Sequence, residues 1–254
     1  MTDLAQLLAS GDTLYGTFLG LGSALPAEAC ALAGFDWLLV DLEHGGGAES
    51  ELLHQQMAAD AHGVPMFVRV ESTQRIRAGH ALDLGAIGIM FPGIESRSQA
   101  EQAIGHLYYP PAGDRGIATY NRACGFGLYP ERLDTANERV ISVIQIESRQ
   151  AVEHLEEITK VPGIDVLFIG PRDLSHDLGV PGDTAAPAFQ DALHRVLGAA
   201  DAADIATGIL APDATAARRY ADQGLRFIGI GSDATLLTQA GKHAVDSVHN
   251  TRRS

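Results

Sequence analysis

The chain has 254 residues, 46% hydrophobic and 20% charged, which is enough to bury a sizeable core and has the balance of an ordinary globular protein. A formal net charge of −14 argues against nucleic acid or an anionic membrane surface as a partner. An anionic small substrate stays open, because local arginines govern a pocket. Cys30 and Cys124 are too few and too far apart for a disulfide framework or a metal cluster. The opening MTDLAQLLASGD has no basic segment followed by an apolar run, and no apolar run reaches transmembrane length, so a cytoplasmic location is expected.

In chain order, strand-like apolar runs fall at Leu14–Leu19, Trp37–Leu42, Pro65–Val70, Ala86–Phe91, Val140–Ile146, Val166–Ile169, Thr207–Leu210 and Phe227–Ile230. Most lack strict alternation, as expected of parallel strands covered on both faces. Helical patterns fill the gaps at Pro26–Gly34, Glu49–His62, Thr73–Leu84, Ser98–Leu107, Arg149–Ile158, Phe189–Ala203, Ala214–Gln223 and Asp233–Val248. Gly34, Gly63, Gly85 and Gly224 stand at helix ends, where a left-handed cap is wanted. Eight such β-α units over residues 1–254 predict a single (β/α)8 barrel domain.

An open doubly wound sheet fits less well, since the first β-α turn, Gly20-Leu21-Gly22, has no third glycine at the required place. A second GxG at Gly229-Ile230-Gly231 reads either as an anion site at a helix start or as a tight turn. One long connection, YYPPAGDRGIATYNRACGFGLYPERL, has the composition of a lid, pocket wall or subunit contact. The tail His249–Ser254 is expected to fray.

The working face of such a barrel is where the strands end. Glu147 leaves one strand and Asp173 the next, across a β-α-β unit, making a plausible seat for a hard divalent cation. Asp173 could equally cap the helix that follows. Asp41, His44, Arg69 and Gln145 reach the same end, and Arg69 lies within an apolar run, so it must find an anion. The only two lysines fall elsewhere, Lys160 in an α-to-β loop and Lys242 within the last helix. A Schiff base therefore has no donor, and carbanion stabilisation would fall to a metal ion.

The segments DWLLVDLEHG, VRV, ALDLGAIGIMFP, YYPPAGDRG, VIQIES and DVLFIGPRDLSHDLG, in this order along almost the whole chain, resemble the HpcH/HpaI aldolases. These are metal-dependent pyruvate aldolases of the 4-hydroxy-2-oxoheptanedioate aldolase type. The resemblance implies a barrel of the phosphoenolpyruvate/pyruvate-binding type, its last helix exchanged between subunits of a homo-hexamer (a dimer of trimers). It implies a divalent ion (Mg2+, Mn2+ or Co2+) on Glu147 and Asp173, His44 as base and Arg69 as transition-state stabiliser. Asp41 is the acid implied to pair with His44, and Asp83 an aspartate that raises its basicity, within a subunit or across an interface. Gln145, Gly170, Asp173 and the Arg172 backbone N–H are implied to meet a 2-oxo acid, with Leu210 bordering the aldehyde. The expected reaction is reversible cleavage of a 4-hydroxy-2-oxo acid into pyruvate, or a related 2-oxo acid, and an aldehyde. Decarboxylation of an oxaloacetate-like acid is the alternative. An acyl-CoA lyase fits less well, because so acidic a chain offers no basic groove for CoA phosphates. Two positions depart from the family pattern: Arg172, where a small residue is usual, and the Gly45-Gly46 pair after His44.

Overall fold

In a computed structural model, which describes residues 4–250, eight parallel strands close into a barrel in the order β1 to β8. The elements run α1 (Leu4–Ala9), β1 (Leu14–Leu19), α2 (Ala24–Leu32), β2 (Trp37–Asp41), α3 (Glu49–Ala61), β3 (Met66–Arg69), α4 (Arg75–Leu84), β4 (Gly88–Phe91) and α5 (Arg97–Gly105). They continue with α6 (Ala136–Arg139), β5 (Ile141–Ile146), α7 (Arg149–Glu153), α8 (Leu155–Ile158), β6 (Val166–Ile169) and α9 (Pro171–Asp177). Then come α10 (Pro187–Ala202), β7 (Ala206–Ala211), α11 (Ala214–Asp222), β8 (Phe227–Ser232) and α12 (Asp233–Asn250). The expected (β/α)8 barrel is therefore what forms, with every strand run in place and its ends shifted by a residue or two.

Two apolar layers hold it. Inside the barrel, Trp37 stacks on Phe227 with ring centroids 4.0 Å apart, and Phe67 meets Phe227 edge-on at 5.1 Å. Such large rings fit because strand glycines make room. A Cβ on Gly16 would fall 2.0 Å from the Trp37 ring, and one on Gly88 would meet Phe67 at 2.5 Å. Outside the strands, Leu38, Val40, Val68, Ile89, Ile144, Leu167 and Ile209 pack against the helices. Strands covered on both faces explain the unbroken apolar runs. Gly34, Gly63, Gly85 and Gly224 all take positive φ at helix ends, as their positions predict.

The structure differs from the sequence reading in several places. The helix expected over Arg149–Ile158 is two pieces, interrupted at His154, whose ring Nδ1 bonds the Glu95 carbonyl oxygen at 2.8 Å. The short helices α1, α6 and α9 carry too little periodicity to be read from sequence. The long connection carries two short 3-10 helices, one turn at Gly125–Gly127 and two turns at Pro130–Thr135. Gly229-Ile230-Gly231 lies within β8, where Gly231 takes φ 57° and the pairing with β1 shifts register, and the Ser232 N–H is taken by Thr235 Oγ1 at 2.7 Å. Of the tail expected to fray, His249 and Asn250 belong to α12, and residues 251–254 lie outside the described residues. Among the described residues no helix is long and apolar enough to cross a membrane.

Candidate active site

The cluster at the strand ends begins with a matter of register. Asp41 ends β2, Arg69 ends β3, and the two are direct pairing partners. Residues opposite each other in a sheet project to the same face. Arg69 Nε accordingly donates to Asp41 Oδ1 at 2.9 Å and Nη2 to Oδ2 at 2.7 Å, a two-point contact that suits a planar guanidinium. Both side chains are about nine-tenths buried. Burial pushes the Asp41 carboxyl up, but the Arg69 hydrogen bonds and charge outweigh it and hold it below the ordinary carboxylate value. For Arg69 burial opposes the charge, and Asp41, Glu43 and Glu147 more than offset it. The anion demanded by an arginine in an apolar run is thus Asp41. The guanidinium also lies 5.4 Å from the centre of the Phe18 ring.

Asp41 is bonded to Arg69, and among the described residues its carboxylate makes no bond to the His44 ring. It acts on His44 through the backbone, with Oδ1 accepting the N–H groups of Glu43 at 3.1 Å and His44 at 3.2 Å. The acid beside the imidazole is Glu43, whose Oε2 lies 3.9 Å from His44 Nε2. The same Oε2 stands 3.0 Å from Arg69 Nη1, yet it is buried and makes no well-aligned hydrogen bond. Burial raises the Glu43 carboxyl; Arg69 and His44 oppose this, while Asp41 and Asp173 add to it. The His44 ring itself is largely exposed at the mouth.

On the far side of Arg69, Gln145 near the end of β5 is buried. Its Oε1 accepts from Arg69 Nη1 at 3.5 Å and its Nε2 donates to Glu147 Oε2 in a short contact. Glu147 Oε1 accepts the Gly93 N–H at 2.7 Å. Burial raises the Glu147 carboxyl, the Gly93 bond opposes this, and Glu43 and Asp173 push it further up. Gly170 closes the wall: a Cβ there would fall 2.8 Å from Gln145 Nε2 and 2.9 Å from Glu147 Oε2. Asp173 is no cap. Gly170 holds the cap position of α9, and Asp173 sits in the first turn without a hydrogen bond or ion pair among the described residues. Arg172, exposed beside it, extends toward Gly182. Leu210 faces the barrel interior, its Cδ1 meeting the space a Gly229 Cβ would fill.

Asp83 is not brought to this cluster within the chain. It lies in the last turn of α4, at the end where the strands begin, and Oδ1 accepts from Arg115 Nη2 at 2.8 Å. Both lysines are on the outside, Lys160 paired with Glu157 and Lys242 with Asp246. Two cavities also lie away from the mouth. One of about 670 Å3 opens under the barrel beside Asp165, Asp204 and Arg226, and one of about 620 Å3 opens beneath the long connection beside Arg115 and Arg122.

The HpcH/HpaI aldolase/citrate lyase profile matches residues 14–240, nearly the whole barrel. The chain belongs to that family. It is 39% identical over 253 residues to the hydroxypyruvate/pyruvate aldolase of Paraburkholderia phytofirmans, covering 97% of each chain. It is 33% identical to the 5-keto-4-deoxy-D-glucarate aldolase of Shigella boydii, covering 94% of this chain and 93% of that one. The crystal structure of an HpcH/HpaI aldolase/citrate lyase family protein from Burkholderia cenocepacia superposes with a TM-score of 0.93 at 39% identity, over 98% of this chain and 100% of that one. As a member of the HpcH/HpaI family the chain is an aldolase-type carbon–carbon lyase. Sequence reasoning placed most of the cluster at one barrel end but missed Glu43 and Gly93. Glu43 was visible only as one of several polar residues after β2, and Gly93 contributes a backbone N–H, which no side-chain pattern reports.

Proposed function

We propose that the protein reversibly cleaves a 4-hydroxy-2-oxo acid into a 2-oxo acid and an aldehyde through an enolate. One observation carries this reading. An arginine, a histidine and four carboxylates (Asp41, Glu43, Glu147 and Asp173) meet where the strands end, while both lysines are paired on the outer surface. An enolate formed there cannot be held as a lysine imine. The relatives' names support pyruvate or hydroxypyruvate as the 2-oxo acid.

The donor set suits a hard divalent ion such as Mg2+, Mn2+ or Co2+. Glu147 and Asp173 offer oxygen only, they raise each other's neighbourhood in negative charge, and Gly170 leaves the room beside Glu147 that any side chain would fill. Among the described residues no third His, Cys, Asp or Glu joins them as a preformed cluster. Bound there, such an ion supplies Lewis-acid polarisation of the 2-oxo group.

The protein's own groups do the rest. Arg69, locked in orientation by Asp41, faces the C2 oxygen, where negative charge accumulates. Its fixed position means no reorganisation is needed as that charge grows. Gln145 and the N–H groups of Arg172 and Asp173 hold the acid group of the substrate. His44, exposed at the mouth beside Glu43, takes the C4 hydroxyl proton in cleavage and delivers a proton to C3 of the enolate; in synthesis it takes the C3 proton and returns one to the C4 oxygen. Leu210 borders the aldehyde. Asp83 serves a neighbouring copy rather than its own His44, as its place at the opposite barrel end supports.

The assembly proposed is a homo-hexamer, a dimer of trimers with α12 exchanged. Every residue from Leu237 to His249 is exposed on this chain, with Leu237, Val245 and Val248 among them. An apolar helix face left bare calls for a second copy to cover it.

The test is pyruvate release from a 4-hydroxy-2-oxo acid. Chelator should abolish it and a divalent ion restore it, and borohydride should trap no substrate on the protein. Activity that survives excess chelator together with borohydride trapping would overturn the reading.

A further inference from the structure

The loop that carries His44 is not held by its own strand alone. Gly46 N donates to the Gly20 carbonyl at 2.8 Å, tying the loop after β2 to the loop after β1. The two loops touch backbone to backbone: a Cβ on Gly22 would fall 2.2 Å from the Gly47 Cα, and one on Gly47 would fall 2.5 Å from the Gly22 Cα. Gly45 is equally confined, its Cβ position lying 2.2 Å from the Asp41 carbonyl oxygen. No side chain larger than hydrogen fits at Gly22, Gly45 or Gly47, whereas a Cβ on Gly46 would clear the Gly20 carbonyl oxygen at 3.5 Å.

The loop after β1 is in turn held by Asp233. This residue opens α12 on the far side of β1 and is buried. Its Oδ1 accepts the Gly20 N–H at 2.8 Å and its Oδ2 the Leu21 N–H at 3.1 Å, while Oδ1 also accepts the Ala234 N–H at 2.7 Å. A carboxylate with both oxygens taken by backbone N–H groups is a rigid anchor. The Gly20 peptide is thus clamped on one side by Asp233 and presents its carbonyl to Gly46 on the other.

We propose that Asp233 is a positioning residue for the base, setting the His44 imidazole through Gly20 and Gly46. This rests on His44 being the base, as proposed above. The Gln145–Glu147 contact lies at the end of β5, and the Arg69–Asp41 pair is set by the β2–β3 register, so neither is held through Gly20 and Gly46. Loss of Asp233 therefore falls on proton movement and spares binding of the 2-oxo acid.

The experiment is a double-mutant cycle read by exchange of the pyruvate C3 protons with solvent deuterium, followed by NMR with a divalent ion present. Asp233→Asn keeps the shape but puts an N–H2 where one backbone N–H needs an acceptor. In the wild-type background it should lower kcat for exchange about 10-fold to 100-fold and leave KM for pyruvate within about 2-fold. In a His44→Ala background the same substitution should change the remaining rate less than about 2-fold. Independently of activity, the Gly20, Leu21 and Gly46 amides should lose hydrogen-exchange protection in Asp233→Asn. An equal loss in both backgrounds, a loss confined to KM, or unchanged kcat in the wild-type background would overturn the proposal, as would retained protection at Gly46. If His44→Ala keeps full exchange while Asp233→Asn still deprotects Gly46, the assignment of the base fails and not the relay. Should Asp233→Asn fail to fold, Asp233→Glu, which keeps the charge and displaces the oxygens, serves the same cycle.

Discussion

Asp41 and Arg69 are bound to each other because they are opposite residues on adjacent strands, each the last of its strand, joined by hydrogen bonds of 2.9 and 2.7 Å. Neither would be tolerated alone in so buried a place. Together they fix a guanidinium at the mouth of the barrel.

Arg69→Ala should therefore cost more than catalysis. It strands the Asp41 carboxylate, and breaking a buried pair from one side costs about 3–5 kcal/mol of stability. Loss of a fixed oxyanion donor lowers kcat about 100-fold to 1,000-fold. Urea unfolding and steady-state kinetics of the same variant check both, and a variant as stable as the parent would contradict the burial argument.

The same pair gives a signed pH dependence. The folded Asp41 carboxyl lies below its ordinary value of 3.8, so its contribution to stability is complete above that value. It is lost as pH falls below 3.8 toward the folded value, where the native carboxylate takes up its proton. Unfolding free energy followed downward from pH 5 should drop less steeply in Arg69→Ala than in the parent. Parallel slopes would show that Asp41 is not linked to folding through Arg69.

At Gly170 the constraint is local to the site. Its backbone, at φ −85° and ψ 90°, suits any residue, but a Cβ would press on Gln145 and Glu147 at 2.8–2.9 Å. Gly170→Ala should keep its melting temperature within a few degrees yet lose about 10-fold to 100-fold in divalent-ion affinity, measured by calorimetric titration. Unchanged affinity would mean that Glu147 is not a ligand.

The bare face of α12 makes a prediction about assembly. Leu237→Asp combined with Val245→Asp places charge on an exposed face of α12, so the protomer should fold. The mass by light scattering should fall below that of a hexamer. A hexamer that persists would place the interface elsewhere.

Much of the fold was legible in the chain, since it rests on local pattern. Apolar runs of four to six residues mark the strands, glycines after helices mark the caps, and the alternation of the two leaves little but a barrel. The short helices escaped because four to seven residues carry less than two turns of periodicity, as with α9. The site was legible as a set, because residues at strand ends of a barrel share one face. Its pairings were not. Asp41 sits three residues before His44, and the family resemblance implies that the two pair, yet register hands its carboxylate to Arg69 from 28 positions away.

By itself, then, the sequence determined the barrel, the end at which the polar cluster gathers, the oxygen-only character of Glu147 and Asp173, and the placement of both lysines outside. Only the tertiary structure decided that Asp41 serves Arg69, that Glu43 stands beside His44, that Asp83 faces the far end, and that Asp233 reaches the His44 loop through Gly20. The physical reason is that a strand's residue types are set by burial, which leaves its mark at every position. A hydrogen bond between strands depends on register and on backbone groups, which leave none.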